Sequence, residues 1–90
     1  MTFKRSKFEI LLNILFTIYR GSHKRTHIMY KANLSWNRLN EYLNFLIKQG
    51  LIEELPSEKS KEYYLTDRGK NVVWYFLKIK EAIKVESLSP

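Results

Sequence analysis

Arg38, with Asn37 and Asn40 beside it and Glu41 and Asn44 just beyond, brings together the side-chain types that pair with base edges. Arginine offers two parallel donors for the acceptors of guanine, and asparagine a donor and an acceptor that match adenine. A carboxylate accepts from the amino group of cytosine. These residues stand in NLSWNRLNEY, residues 33–42, which reads as the opening of a helix with Ser35 as its N-cap. A helix start is partly positive and ordinarily attracts Asp or Glu, yet the first acid here is Glu41. With about 100° of turn per residue and Leu39 set inward, Asn37, Glu41, Asn44 and Lys48 point outward, flanked by Arg38 and Asn40. The same residues would also make an ordinary solvated face, so the rest of the chain has to decide.

The neighbouring charges favour a polyanion. Net charge is +7, and all of the excess lies in residues 1–50, where nine bases face two acids; residues 51–90 hold seven of each. Charge segregated in this way suits a nucleic-acid surface. Lys24, Arg25, Thr26 and Lys31, with Ser35 and Lys48, are candidates for phosphate contacts, which place a protein without reading sequence. Lys59, Ser60 and Lys61 form a second small group, with Glu58 and Glu62 on either side of it.

Other chemistries find little support. His23 and His27 are four apart, but there is no cysteine and no carboxylate close by in sequence, so no metal site is expected. No paired carboxylates, no nucleophile with its base and no phosphate-cradling glycine loop point to an enzyme, a cofactor or a small-molecule substrate. FEILLNILFTIY is interrupted by Glu9, Asn13 and Thr17 and is too short to span a bilayer, so it reads as a core helix and not as a membrane or signal segment. Tyr30, Trp36, Tyr42, Tyr63 and Tyr64 could stack on single-stranded bases, although aromatics at helical spacing are more often core.

The elements that must hold these residues follow from caps and periodicity. Ser6 and Glu9 form a capping box for helix 1, which runs to about Arg20 and ends at Gly21. Ile28, Met29 and Ala32 mark a helix of about two turns, followed by a tight turn at Asn33. Helix 3 runs from Ser35 to about Gln49, with Leu34 and Leu39 as a hydrophobic staple, Leu39, Leu43 and Leu46 inward, and Gly50 at its end. LIEEL and KEYYL flank PSEKS and predict a hairpin. Thr66 then caps helix 4, which runs to about Val85 before an ESLSP tail; Gly69 inside it signals a close approach. VVWYFL alone would pass for a strand, but the cap before it and KIKEAIK after it favour helix.

Short helix, tight turn, longer helix and then a hairpin make a winged helix-turn-helix, a mainly α fold with a small β-hairpin. In that arrangement the second helix of the pair enters the major groove. Residues 1–66 form the winged domain and 67–90 the C-terminal helix and tail. That helix, about nineteen residues long, is a rod of roughly 28 Å. Val72, Phe76, Ile79 and Ile83 recur along it at spacings of four, three and four, which predicts pairing with a second copy. The alternatives are a monomer with helix 4 folded over helix 1, or a winged helix that uses its apolar surface to meet another protein and does not bind DNA.

KRSKFEILLNIL, RTHIMYKANLSWNRLNEYLNFLIKQGLIEE and YYLTDRGK together resemble the small archaeal winged-helix proteins of the Sulfolobus ten-kilodalton chromatin-associated type, forms of which occur in archaeal viruses and plasmids. The likeness covers roughly residues 4–85. It implies duplex-DNA binding as a transcriptional regulator or nucleoid component, a homodimer joined by an antiparallel coiled coil of C-terminal helices, and a place in the cytoplasm of the cell or of a virus's host.

Overall fold

The computed structural model describes residues 6–83. Lys4, Arg5, the end of helix 4 expected near Val85 and the ESLSP tail lie outside them. In order come α1 (Lys7–Tyr19), α2 (Arg25–Ala32), α3 (Trp36–Lys48), β1 (Ile52–Pro56), β2 (Lys61–Leu65) and α4 (Asp67–Ile83). The capping box on α1 is formed, with the Ser6 hydroxyl accepting from the Glu9 amide and the Glu9 side chain reaching back to the Ser6 amide. Ile10, Ile14 and Ile18, four residues apart, present one buried stripe of α1 to Ile28, Ala32, Leu39, Leu43, Leu46, Tyr63 and Val73.

Three helix ends are closed in the same manner. After α1, Gly21 donates to the Ile18 carbonyl and Ser22 to Thr17; after α3, Gly50 donates to Ile47 and Leu51 to Leu46. After α2 the pair is Asn33 to Tyr30 and Leu34 to Met29. Each is the double hydrogen bond that ends a helix through one residue of positive φ. Glycine fills that place at φ 107° and 73°, and Asn33 fills it at φ 56° in the turn between α2 and α3. Asparagine tolerates this region better than most residues with a Cβ.

The hairpin is antiparallel, with Ile52 opposite Leu65, Glu54 opposite Tyr63 and Pro56 opposite Lys61. It begins one residue later than its sequence suggests, because the Leu51 amide is taken by the end of α3. Pro56, which has no N–H to donate, closes an edge strand where none is needed. The tip is Ser57–Ser60, held by the Ser57 amide and hydroxyl donating to the Ser60 carbonyl. On its other edge β2 gains a short third partner: Lys24 bridges Glu62, and the Tyr63 amide donates to the His23 carbonyl. The chain entering α2 is thus stitched to the hairpin.

α4 starts as the sequence predicts. Thr66 accepts from the Gly69 amide through its hydroxyl, and that hydroxyl donates to the Gly50 carbonyl at 2.6 Å. A Cβ on Gly69 would stand 2.0 Å from the Leu51 carbonyl oxygen, which is the close approach that excludes any side chain there. Among the described residues of α4, Gly69 and Val73 are buried, Val72 and Phe76 are half-buried, and Ile79 and Ile83 are exposed.

Candidate nucleic-acid interface

α3 presents the expected strip. Asn37, Glu41, Asn44 and Lys48 are all exposed on the side away from Leu39, Leu43 and Leu46. The first turn carries no acid, and Ser35 caps it by accepting from the Arg38 amide. Arg38 is exposed and lies back along its own helix, its guanidinium donating to the Tyr42 hydroxyl at 3.3 Å. Asn40 is half-buried and so less available than its neighbours. A shallow groove lined by Lys7, Leu11, Glu41, Tyr42 and Phe45 runs between α1 and α3 on one flank of the strip.

α2 brings a second exposed group. Thr26, His27, Tyr30 and Lys31 lie on its outer side, with Tyr30 86 % exposed. Lys24 stands ahead of the helix with its side chain in solvent, in a cleft it shares with the wing-tip residues Ser57–Ser60 and with Glu62. Lys59 and Ser60 are exposed at the tip, while Lys61 reaches down the hairpin to Glu54 at 3.1 Å. His23 is not on α2: its Nδ1 lies 2.9 Å from the Tyr63 carbonyl and its ring stacks on Tyr64 at 4.1 Å. The four-residue spacing of His23 and His27 therefore places no shared helical face.

Arg25 behaves differently from the other bases. Its guanidinium turns under the hairpin, 5.0 Å from the Trp36 ring centroid and 5.5 Å from that of Tyr63, and donates to the Tyr63 hydroxyl. Tyr63 in turn donates to Glu54 at 2.8 Å, and Glu54 lies 3.9 Å from Arg25. The Tyr63 hydrogen bond is the main cause holding the Glu54 carboxyl below its ordinary 4.5; partial burial opposes it, and Lys61 and Arg25 add to it. Tyr63 itself is pushed above 10.0, first by burial, and so remains a neutral donor. Trp36 and Tyr63, aromatics that the sequence offers for stacking on bases, serve here to hold Arg25, and Glu54 stands out in the sequence in no such way. One clue was present: Glu54 shares the inner face of the hairpin with Ile52, and an acid there needs a partner.

Comparison with known proteins agrees with this fold. The winged helix-turn-helix family model matches residues 4–84, and the chain belongs to that family. It is 42 % identical over 71 residues to the uncharacterized protein MJ0287 of Methanocaldococcus jannaschii, covering 78 % of this chain and 68 % of the relative. Among solved structures it is similar to Sso10a-2, a DNA-binding protein from Sulfolobus solfataricus, with a TM-score of 0.69, 26 % identity and coverage of 96 % of this chain and 98 % of that one. The resemblance read from the sequence thus extends to the backbone. AF1382 from Archaeoglobus fulgidus shares the fold, with a TM-score of 0.70, 17 % identity and coverage of 87 % of this chain and 90 % of its own.

Proposed function

We propose that this winged helix-turn-helix protein binds duplex DNA as a homodimer, in the cytoplasm, as a transcriptional regulator or nucleoid-associated protein, and that it acts without catalysis. The observation that carries the reading is the exposed strip of α3, with no acid in its first turn and Asn37, Asn44 and Lys48 facing outward. α3 lies in the major groove, with Asn37, Arg38, Glu41 and Asn44 at base edges and the half-buried Asn40 at the margin. Arg38 needs only to leave Tyr42 to reach a guanine. Lys24, Thr26, Lys31 and Lys48, with the Ser35 end of α3, meet phosphates, and Lys59 and Ser60 extend the contact from the wing. Sso10a-2, similar along nearly its whole length, is described as DNA-binding, which supports carrying the activity across. The segment from residue 67 onward supplies the dimer contact, through Ile79 and Ile83 on the open part of α4.

The test is fluorescence anisotropy on a labelled random-sequence duplex across a salt series. Binding should weaken steeply with salt, with a log–log slope of several units. Lys24→Ala and Lys31→Ala should each flatten that slope by about 1 and weaken all sequences alike, while Arg38→Ala relaxes preference for one base pair in a selected site. Absence of binding at low salt would remove the reading and leave a protein partner, for which the exposed Trp74, Tyr75 and Leu77 of α4 provide a surface.

A further inference from the structure

The geometry points to Arg25 as a positioning residue that locks the wing to the start of the reading helix, and not as a phosphate ligand; this rests on the DNA-binding reading above. Arg25 is the first residue of α2, Trp36 the first of α3, and Glu54 and Tyr63 a directly opposed pair in the hairpin. One guanidinium touches all three elements: ring faces of Trp36 and Tyr63 at 5.0 and 5.5 Å, the Tyr63 hydroxyl, and the Glu54 carboxylate at 3.9 Å. Its Nε is buried with no acceptor among the described residues, so the side chain keeps this place with one donor unused. A surface arginine meant for phosphate would keep its planar fork in solvent.

The arrangement specifies arginine and not simply a positive charge. A flat guanidinium stacks on Trp36 and Tyr63 while its edge still donates, whereas the compact ammonium of lysine cannot do both. Trp36 stands immediately before Asn37, so the lock fixes the beginning of the exposed strip relative to the hairpin. Lys61, drawn to Glu54 at 3.1 Å, joins the same network from the wing side. Wing and reading helix therefore approach DNA as one surface, with Arg25 beneath it.

Hydrogen exchange on the DNA-free full chain tests the lock directly. In Arg25→Lys and in Arg25→Ala, amides of residues 52–55 and 61–65 should exchange about tenfold faster, while buried α1 and α3 amides such as Ile14 and Leu43 keep their rates. Trp36→Leu, which changes an exposed residue, should speed the hairpin in the same direction and guards against a poorly folding Arg25 variant. On the random duplex, Arg25→Lys should lose about as much affinity as Arg25→Ala, some fivefold to tenfold. Unchanged hairpin exchange in all three variants, or near-wild-type binding by Arg25→Lys, would overturn the proposal and return Arg25 to the phosphates. If wild type itself fails to bind duplex, the function above falls, and the exchange rates still decide the lock.

Discussion

Glu54 sits at the polar end of an otherwise apolar strand face, where Tyr63 donates to one carboxylate oxygen and Lys61 approaches the other. Its pKa is lowered in the fold, so its ionised form stabilises the native state. That contribution is whole above about pH 4.5 and is lost as pH falls through the lower folded value. Glu54→Gln should therefore be somewhat less stable than wild type near neutrality, with the gap closing as pH falls from about 4.5 through the lower folded value. Thermal melts of the two proteins over that range check it. The outward side chains of α3 were legible from spacing alone, since Leu39, Leu43 and Leu46 fix which side is in and Asn37, Glu41, Asn44 and Lys48 then have to face out. Arg25 was not legible in this way. Its partners lie 11, 29 and 38 positions further along the chain, and only the fold brings Trp36, Glu54 and Tyr63 around it.

At the scale of elements, caps and turns carried most of the information. Ser6, Gly21, Asn33, Ser35, Gly50 and Thr66 each stand where a helix begins or ends, and each does so by a hydrogen bond or a φ that its residue type favours. The start of β1 shifted by one residue because a strand and a helix end competed for the Leu51 amide, a contest that composition does not reveal. The position of Lys24 and His23 in a bridge with β2 was also hidden, since a single strand-like pair leaves no periodicity. Gly69 is the sharpest case of a local rule broken for a tertiary reason. Its missing side chain makes room for the Leu51 carbonyl, so Gly69→Ala should destabilise the protein by about 3 kcal/mol despite alanine's better helix propensity. Chemical denaturation should show this as a lower midpoint with an unchanged slope.

At the scale of the whole molecule, a radius of gyration of 14.0 Å exceeds the roughly 12 Å of a compact chain of this length. The first half of α4 packs on the core, and its second half carries Ile79 and Ile83 at 49 % and 57 % exposure. The heptad-like stripe read from the sequence therefore divides in two. Val72 and Phe76 pack within the subunit, Phe76 against Phe8 at 5.5 Å, and Ile79 and Ile83 stay exposed, the part assigned above to the proposed dimer contact. Double replacement Ile79→Lys with Ile83→Lys should yield a folded monomer whose duplex affinity drops at least tenfold, because two linked sites no longer act together. Light scattering and anisotropy on the same sample check both halves. Sequence periodicity could mark the stripe but not its division, which depends on how far α1 reaches along α4.

α3, the proposed reading helix, and α4 meet without slack. The Thr66 hydroxyl and amide are bonded to the Gly50 and Leu51 carbonyls, where α3 has just ended, and Gly69 lets the two backbones touch. In a dimer closed through α4, this joint makes the protein a caliper. Sliding the paired helices by one turn, about 5.4 Å, would carry the two reading helices with them by a similar distance. Grooves facing the same side of a duplex recur only every ~34 Å. The pairing of two rods far from the DNA would thus decide which spacing of sites the jaws accept, and a substitution that never approaches a base could change the target.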